Sequence, residues 1–310
     1  QVDLLTERRQ PIPGRDGRFD LQFAPYESRL LVRTMSSALP RSPSRTVTLD
    51  GPWTVALPDA NLVVAEPVTV ETEWTDRRSW EARLLYRIGF TLEVDGVPDS
   101  AFWVMDEVQH YVQWDRLKVL VNDQPAAFGP SPIIDPALVA ADLAGHLREG
   151  ANRIVLELDH TDYMNAANLF DKRRAPAPVV RPRVLGRFVV QDGRISPMPE
   201  TITARCGDDL AQSGYALYSG RAVYRAAIET DGGALQAVSF ENLAHHAVVR
   251  LDGTEIGRTL WRPWRIECDL PLDAGSHEIE IEVTNTQANQ MFEEPRPFGL
   301  LGTVSLEFGT

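Results

Sequence analysis

Cysteine is nearly absent from this 310-residue chain, which holds only Cys206 and Cys268. Two cysteines cannot form a disulfide framework, so stability has to come from packed cores. Cys268 alternates with Ile266 and Leu270 and reads as a buried thiol, and Cys206 is read the same way. Lysine is almost missing as well, at positions 118 and 172 only. That bias reads as the base composition of a GC-rich bacterial genome, not as mechanism. The net charge of −13 excludes the clustered positive charge that a nucleic-acid binder needs. It also gives no attraction to an anionic membrane. No window approaches the roughly 18 uncharged apolar residues of a membrane span. No signal-peptide pattern is present, and the chain opens on Gln1, as a mature terminus or an excised piece would. The expectation is a soluble bacterial protein, cytoplasmic or secreted. Nucleophile-elbow, zinc-protease, phosphate-loop and dinucleotide signatures are all absent.

Helical periodicity is nearly missing too. Period-two alternation takes its place in Thr46–Leu49, Arg87–Val94, Leu117–Val121, Ala247–Leu251, Glu278–Val283 and Val304–Phe308. Such runs bury one face and wet the other. Asp50-Gly51, Asp95-Gly96, Asp192-Gly193, Gly232-Gly233 and Asp252-Gly253 punctuate them as turns. The best helix candidate, Pro136–Arg148, reads as no more than a short turn.

The chain repeats itself at an offset of about 125 to 140 residues, the size of a whole domain. Tyr86-Arg87 and Tyr224-Arg225 each open a strand. Asn122-Asp123 and Asp252-Gly253 follow, then Asp142-Leu143 and Asp269-Leu270, then Gly150 and Gly275. An alternating strand and an Asn-rich stretch, Asn165–Asn168 or Asn285–Asn289, close each copy. The fold class expected is all-β: two tandem antiparallel β-sandwiches of jelly-roll type. Residues 1–40 read as terminal strands of something upstream plus a Ser/Pro/Arg linker. Residues 41–183 form the first sandwich and 184–310 the second, with the Pro-rich Ala175–Arg183 between them.

Several segments resemble one family. Gly214-Tyr-Ala-Leu-Tyr-Ser-Gly-Arg-Ala-Val-Tyr224 resembles the entry strand of galactose-binding-like jelly-roll domains in large glycoside hydrolases. Leu260–Leu270 is similar to their Trp-x-Pro-Tyr strand, Gly275–Asn289 to their Gly-x-Asn strand, and Pro297–Leu306 to their closing strand. Upstream, Ala24-Pro-Tyr-Glu-Ser28 resembles the strand that ends the piece after a catalytic barrel. Together they resemble the C-terminal region of a family 2-like or family 106-like glycoside hydrolase of the α-L-rhamnosidase kind. Departures are Trp264 for Tyr, His277 for Asn, and Phe298 and Thr303 for Ser and Pro. The first repeat lacks the Tyr-Ser-Gly before Tyr86 and carries an insertion between Tyr86 and Asn122.

The resemblance implies a non-catalytic accessory region that binds carbohydrate or braces an upstream catalytic domain of the same polypeptide. The alternative is a structural scaffold with no ligand. The implied ligand is a plant or microbial glycan. No cofactor is implied, though such jelly rolls often hold a structural Ca²⁺ in oxygen ligands. Sugar contact uses flat rings and a few hydrogen-bonding side chains. The residues of those types in the motif-bearing segments are Trp261, Arg262, Trp264, Tyr218, Asn285 and Asn289. Of these Trp264 is the favoured ring, which requires a bend at Pro263. Trp103, His110, Tyr111 and Trp114 lie in the insertion. Asp106-Glu107, Glu71 with Glu73, and Glu293-Glu294 are the local carboxylate pairs, read as surface groups and not as a glycosidase dyad. His245 and His246 are adjacent, so on a strand they face opposite ways and do not make a metal pair.

Overall fold

A computed structural model describes residues 43–74, 84–105, 117–131, 138–159 and 182–309, with the backbone of 14–15 and 18–19. In chain order the strands are β1 (Gly14–Arg15), β2 (Arg18–Phe19), β3 (Arg45–Leu49), β4 (Trp53–Ala56), β5 (Asn61–Val64), β6 (Pro67–Trp74) and β7 (Leu84–Val94). Next come β8 (Ala101–Met105), β9 (Leu117–Val121), β10 (Gln124–Ala126), β11 (Phe128–Pro130), β12 (Val139–Asp142) and β13 (Gly150–Asp159). The last are β14 (Arg183–Gly186), β15 (Phe188–Gln191), β16 (Arg194–Pro197), β17 (Ile202–Ala204), β18 (Arg221–Phe240), β19 (His246–Leu251), β20 (Thr254–Thr259), β21 (Arg265–Thr284) and β22 (Val304–Gly309). The architecture is all-β, and its two large apolar cores are separate. No helix among the described residues is long and apolar enough to cross a membrane.

In the first sandwich a seven-stranded sheet runs β10-β9-β13-β7-β16-β15, with β6 added on β7. It faces a five-stranded sheet of order β11-β12-β8-β14-β5. Alternation on β7 sends Tyr86, Ile88, Phe90, Leu92 and Val94 into the core, where Ile154, Leu156 and Leu158 of β13 meet them. Trp103 sits at the centre, fully buried, edge-on to Phe90 with ring centroids 4.8 Å apart. The Tyr86–Asn122 segment is therefore not a surface insertion throughout. Its Trp103 lies on β8, between β12 and β14 in the second layer, because alternating Ala101, Trp103 and Met105 supply a core face. His110, Tyr111, Trp114 and the Asp106-Glu107 pair lie outside the described residues. From the helix candidate the described part forms β12 and a single 3-10 turn, Ala144–His146.

The second sandwich is one eight-stranded sheet folded over on itself. β18 and β21 pair over nearly twenty residues. The first half of β18 pairs with β4 and its second half with β22. Gly232-Gly233 is thus a bend inside a long strand and not a hairpin turn. Both glycines have positive φ, 82° and 114°, a region that costs a side-chain-bearing residue energy. A bulge between Leu235 and Ala237 adds to the turn. Among the described residues Asn122-Asp123, Asp192-Gly193 and Asp252-Gly253 are two-residue hairpin turns, each with positive φ at both positions, the geometry that matches strand twist.

The two sandwiches are interleaved in sequence. β3 pairs with β22 and β4 with β18, so Arg45–Ala56 belongs to the second sheet. β14, β15 and β16 pair with first-sandwich strands. Chain position alone puts both groups on the other side, at 41–183 and 184–310. Pairing across about 80 to 260 residues overrides that order, because an apolar strand is placed by the sheet edge that buries it.

Polar contacts tie the two bodies together. Buried Asn61 donates to the carbonyls of Phe188 and Gly214, at 3.1 and 3.0 Å. Leu217 of the second sandwich packs on the back of the five-stranded sheet at Leu62, Val104, Ala140 and Leu185.

Candidate functional site

At one end of the second sandwich the loops before β18 and after β21 close on one another, and β20 ends at the same end of the sheet. Tyr218 is fully buried, stacked on Phe298 at 5.5 Å and edge-on to Tyr215. Its hydroxyl donates to the Arg221 carbonyl at 2.7 Å and accepts from the Asp59 N–H at 3.1 Å. Burial pushes its pKa well above the ordinary tyrosine value. The Asn285 carboxamide accepts from the Gly220 N–H at 2.7 Å and donates to the Tyr218 carbonyl at 2.8 Å. Asn289 donates to the carbonyls of Ala216 and Arg296. These three residues close the loops upon one another, and their polar atoms point inward.

Asp59 completes the latch from the neighbouring segment. Its carboxylate takes the Arg221 guanidinium at two points and the Arg221 N–H as well, at 2.8–3.1 Å. Gly220 has to be glycine: a Cβ there would stand 2.5 Å from the Asp59 side chain. Beyond Asn289, Gln290 donates to the Ala60 carbonyl, and Glu293 pairs with Arg183 of β14 at 3.1 Å. Both members of that pair are less than 20% exposed.

The Trp–Arg–Pro–Trp loop joins β20 to β21. Its chain turns at Pro263, where the sequence requires a bend. The bend nevertheless leaves Trp264 half-buried against the second core, on the same face as Ile266 and Cys268. Its ring is covered by the Arg262 guanidinium, 4.3 Å from the ring centroid. Period-two parity wins over the bend, and the outward ring is Trp261 instead. Trp261 is 38% exposed, beside exposed Leu260. Of the six sequence-chosen residues, then, Tyr218, Asn285 and Asn289 are buried in the latch, Trp264 is covered, and Trp261 with Arg262 lies nearest solvent. Met291 and Phe292, exposed on the loop that carries Asn289, were missed by the sequence argument. Their flanking Asn-Gln and Glu-Glu residues gave no apolar period.

Burial lowers the pKa of the His245 and His246 imidazoles, and no group of three or more His, Cys, Asp or Glu able to hold a metal occurs among the described residues. Cys206 and Cys268 are half-buried thiols that reach the carbonyls of Leu49 and Leu235. The Glu293-Glu294 pair is split, Glu293 going to Arg183 and Glu294 to Arg296.

The Glu71/Glu73 pair lies elsewhere, on the outer face of the first sandwich. There Glu71 of β6, Arg87 of β7, Glu157 of β13 and Lys118 of β9 stand directly opposite one another across four strands. They line a cavity of about 490 Å³.

A scan against protein-family models returns no match, and a search of curated proteins returns none either. Solved structures do resemble the chain. A rhamnosidase from Novosphingobium aligns over 80% of this chain and 25% of its own, at 17% identity and TM-score 0.31. The α-L-rhamnosidase of Streptomyces avermitilis, solved with L-rhamnose, aligns over 89% of this chain and 28% of its own, at 12% identity and TM-score 0.32. A family 2 β-galacturonidase from Eisenbergiella tayi aligns over 40% of this chain and 22% of its own, at 20% identity and TM-score 0.29. The chain thus spans about a quarter of the length of the glycoside hydrolases it is similar to.

Proposed function

We propose that this chain is a non-catalytic accessory region of a glycoside hydrolase of the α-L-rhamnosidase kind. Its second sandwich offers Trp261 and Arg262 to carbohydrate. The observation that carries this reading is the exposed Trp261 ring, followed in sequence by Arg262, on the loop of the segment that bears the family resemblance. A flat ring takes the apolar face of a sugar, and Arg262 supplies fixed donors to its hydroxyls. The latch of Tyr218, Asn285 and Asn289 holds the loop end in shape and touches no ligand. Isothermal titration with rhamnose-containing oligosaccharides tests the reading. Weak binding that Trp261→Ala removes, at unchanged melting temperature, supports it. Incubation with p-nitrophenyl α-L-rhamnoside and β-galactoside should release nothing above buffer. Turnover abolished by one carboxylate substitution would end the accessory assignment.

One observation favours a bracing scaffold as the second reading. Asn61, Gln290 and the Arg183–Glu293 pair spend buried polar groups on fixing the two sandwiches together. A chain that binds no glycan yet stabilises a catalytic domain supplied in trans would favour it.

A further inference from the structure

The outer face of the seven-stranded sheet carries a second concave surface, far in sequence from the Trp261 loop. The cavity of about 490 Å³ there falls in the size range of small-molecule sites. Its central row reads Glu71, Arg87, Glu157, Lys118 across β6, β7, β13 and β9. Neighbouring strands lie about 4.8 Å apart, so Glu71 and Lys118 are separated by roughly 14 Å. The middle two neutralise each other, Arg87 holding Glu157 at 3.2 Å. The ends do not. Among the described residues Glu71, Glu73 and Lys118 enter no hydrogen bond or ion pair. The next row toward the strand ends places Leu85 between Glu73 and Asp159 as an aliphatic floor.

This pattern fits a particular ligand chemistry. One end of the groove can only accept hydrogen bonds when ionised, and the other end can only donate. Hydroxyls do both, so a polyhydroxylated chain satisfies each end and the mixed pair between them. The span exceeds one pyranose ring. Among the described lining residues Glu71, Glu73 and Glu157 outnumber the cations Arg87 and Lys118 and repel an acidic ligand, since like charges brought together cost affinity. We infer that this groove is a binding site for a short oligosaccharide of non-acidic sugars, which rests on the carbohydrate-accessory reading above and adds a second site to it.

Titration of the full chain with maltotriose, xylotriose, chitotriose and trigalacturonate tests the inference. The variants are Glu71→Gln combined with Lys118→Ala, and separately Trp261→Ala. Glu71 and Lys118 are exposed, so the double variant should keep its melting temperature. The expected result is binding of at least one neutral trisaccharide that weakens about tenfold or more in the double variant. Trp261→Ala should retain the part of the binding that the double variant removes, and trigalacturonate should bind more weakly than the neutral ligands. Neutral binding unchanged in the double variant but lost with Trp261→Ala overturns the groove and leaves the accessory reading standing. Preferred binding of trigalacturonate overturns the groove's assigned specificity. No binding of any trisaccharide by the unmodified chain overturns the groove and the carbohydrate reading together.

Discussion

His277 is held to Asp252 by a 2.7 Å contact from Nδ1 to the carboxylate, while Nε2 stands 3.1 Å from the Asp273 carbonyl. Both ring nitrogens face acceptors, so the ring is satisfied only as the doubly protonated imidazolium. It stands where the resembled family has Asn, and it pins the β19–β20 hairpin to β21.

The pair makes stability depend on pH in both directions. The hydrogen bond to Asp252 raises the His277 pKa, with the Asp273 carbonyl adding to it. Stability from His277 is therefore full below the ordinary histidine value of about 6.5 and is lost as pH rises through the raised folded value. The Asp252 pKa is lowered, first by His277 and then by the Glu278 N–H. Its contribution is present above the ordinary carboxylate range and is lost as pH falls through the lowered folded value. Denaturant unfolding from pH 5 to 9 should show a decline on the alkaline side that His277→Gln flattens. An unchanged slope in that variant would assign the decline elsewhere.

Asn285→Ala should destabilise the second sandwich by about 1–3 kcal/mol, because it strands the half-buried Gly220 N–H and the buried Tyr218 carbonyl together. Asn285→Asp keeps the acceptor toward Gly220 but sets a carboxylate against the Tyr218 carbonyl, so it should not rescue. Chemical denaturation of the two variants beside the parent reads both effects.

The three tryptophans should separate cleanly. Trp103→Ala truncates a fully buried ring in the first core and should cost about 3–5 kcal/mol. Trp264→Ala should cost less, about 1–3 kcal/mol, since its ring is half-buried and partly covered by Arg262. Trp261→Ala should leave the melting temperature nearly unchanged. A large loss for Trp261 would show that its ring packs inward.

A fragment of residues 184–310 should not unfold cooperatively. It lacks β3 and β4, which flank β22 and β18 in the second sheet. It would expose those edges and remove Trp53 and Val55 from the core. A chain in which a flexible linker replaces residues 61–199, keeping β3 and β4, should unfold in a single transition. Circular dichroism melts of the two distinguish pairing from chain order. Cooperative melting of the shorter fragment would show that β3 and β4 are dispensable.

Much of this was legible in the sequence for a local reason. Alternation fixed which face of β7, β13 and β21 is buried, because successive side chains on a strand point to opposite sides. Asp192-Gly193 and Asp252-Gly253 marked two hairpins, because few other residues adopt positive φ at small cost; Asp50-Gly51 and Asp95-Gly96 join strands that do not pair with each other. The same parity rule was right about Trp264, which faces inward with Ile266 and Cys268 despite the bend at Pro263. What the sequence could not decide was partnership between distant segments. Nothing local in Arg45–Ala56 says that its partners lie beyond residue 200, since any alternating strand offers the same hydrogen-bonding edge. Nothing in Asn285 or Asn289 tells a sugar ligand from a loop carbonyl, since the carboxamide serves both. The row of Glu71, Arg87, Glu157 and Lys118 exists only through register across four strands. Those choices are made where chain segments meet, so tertiary structure alone settles them.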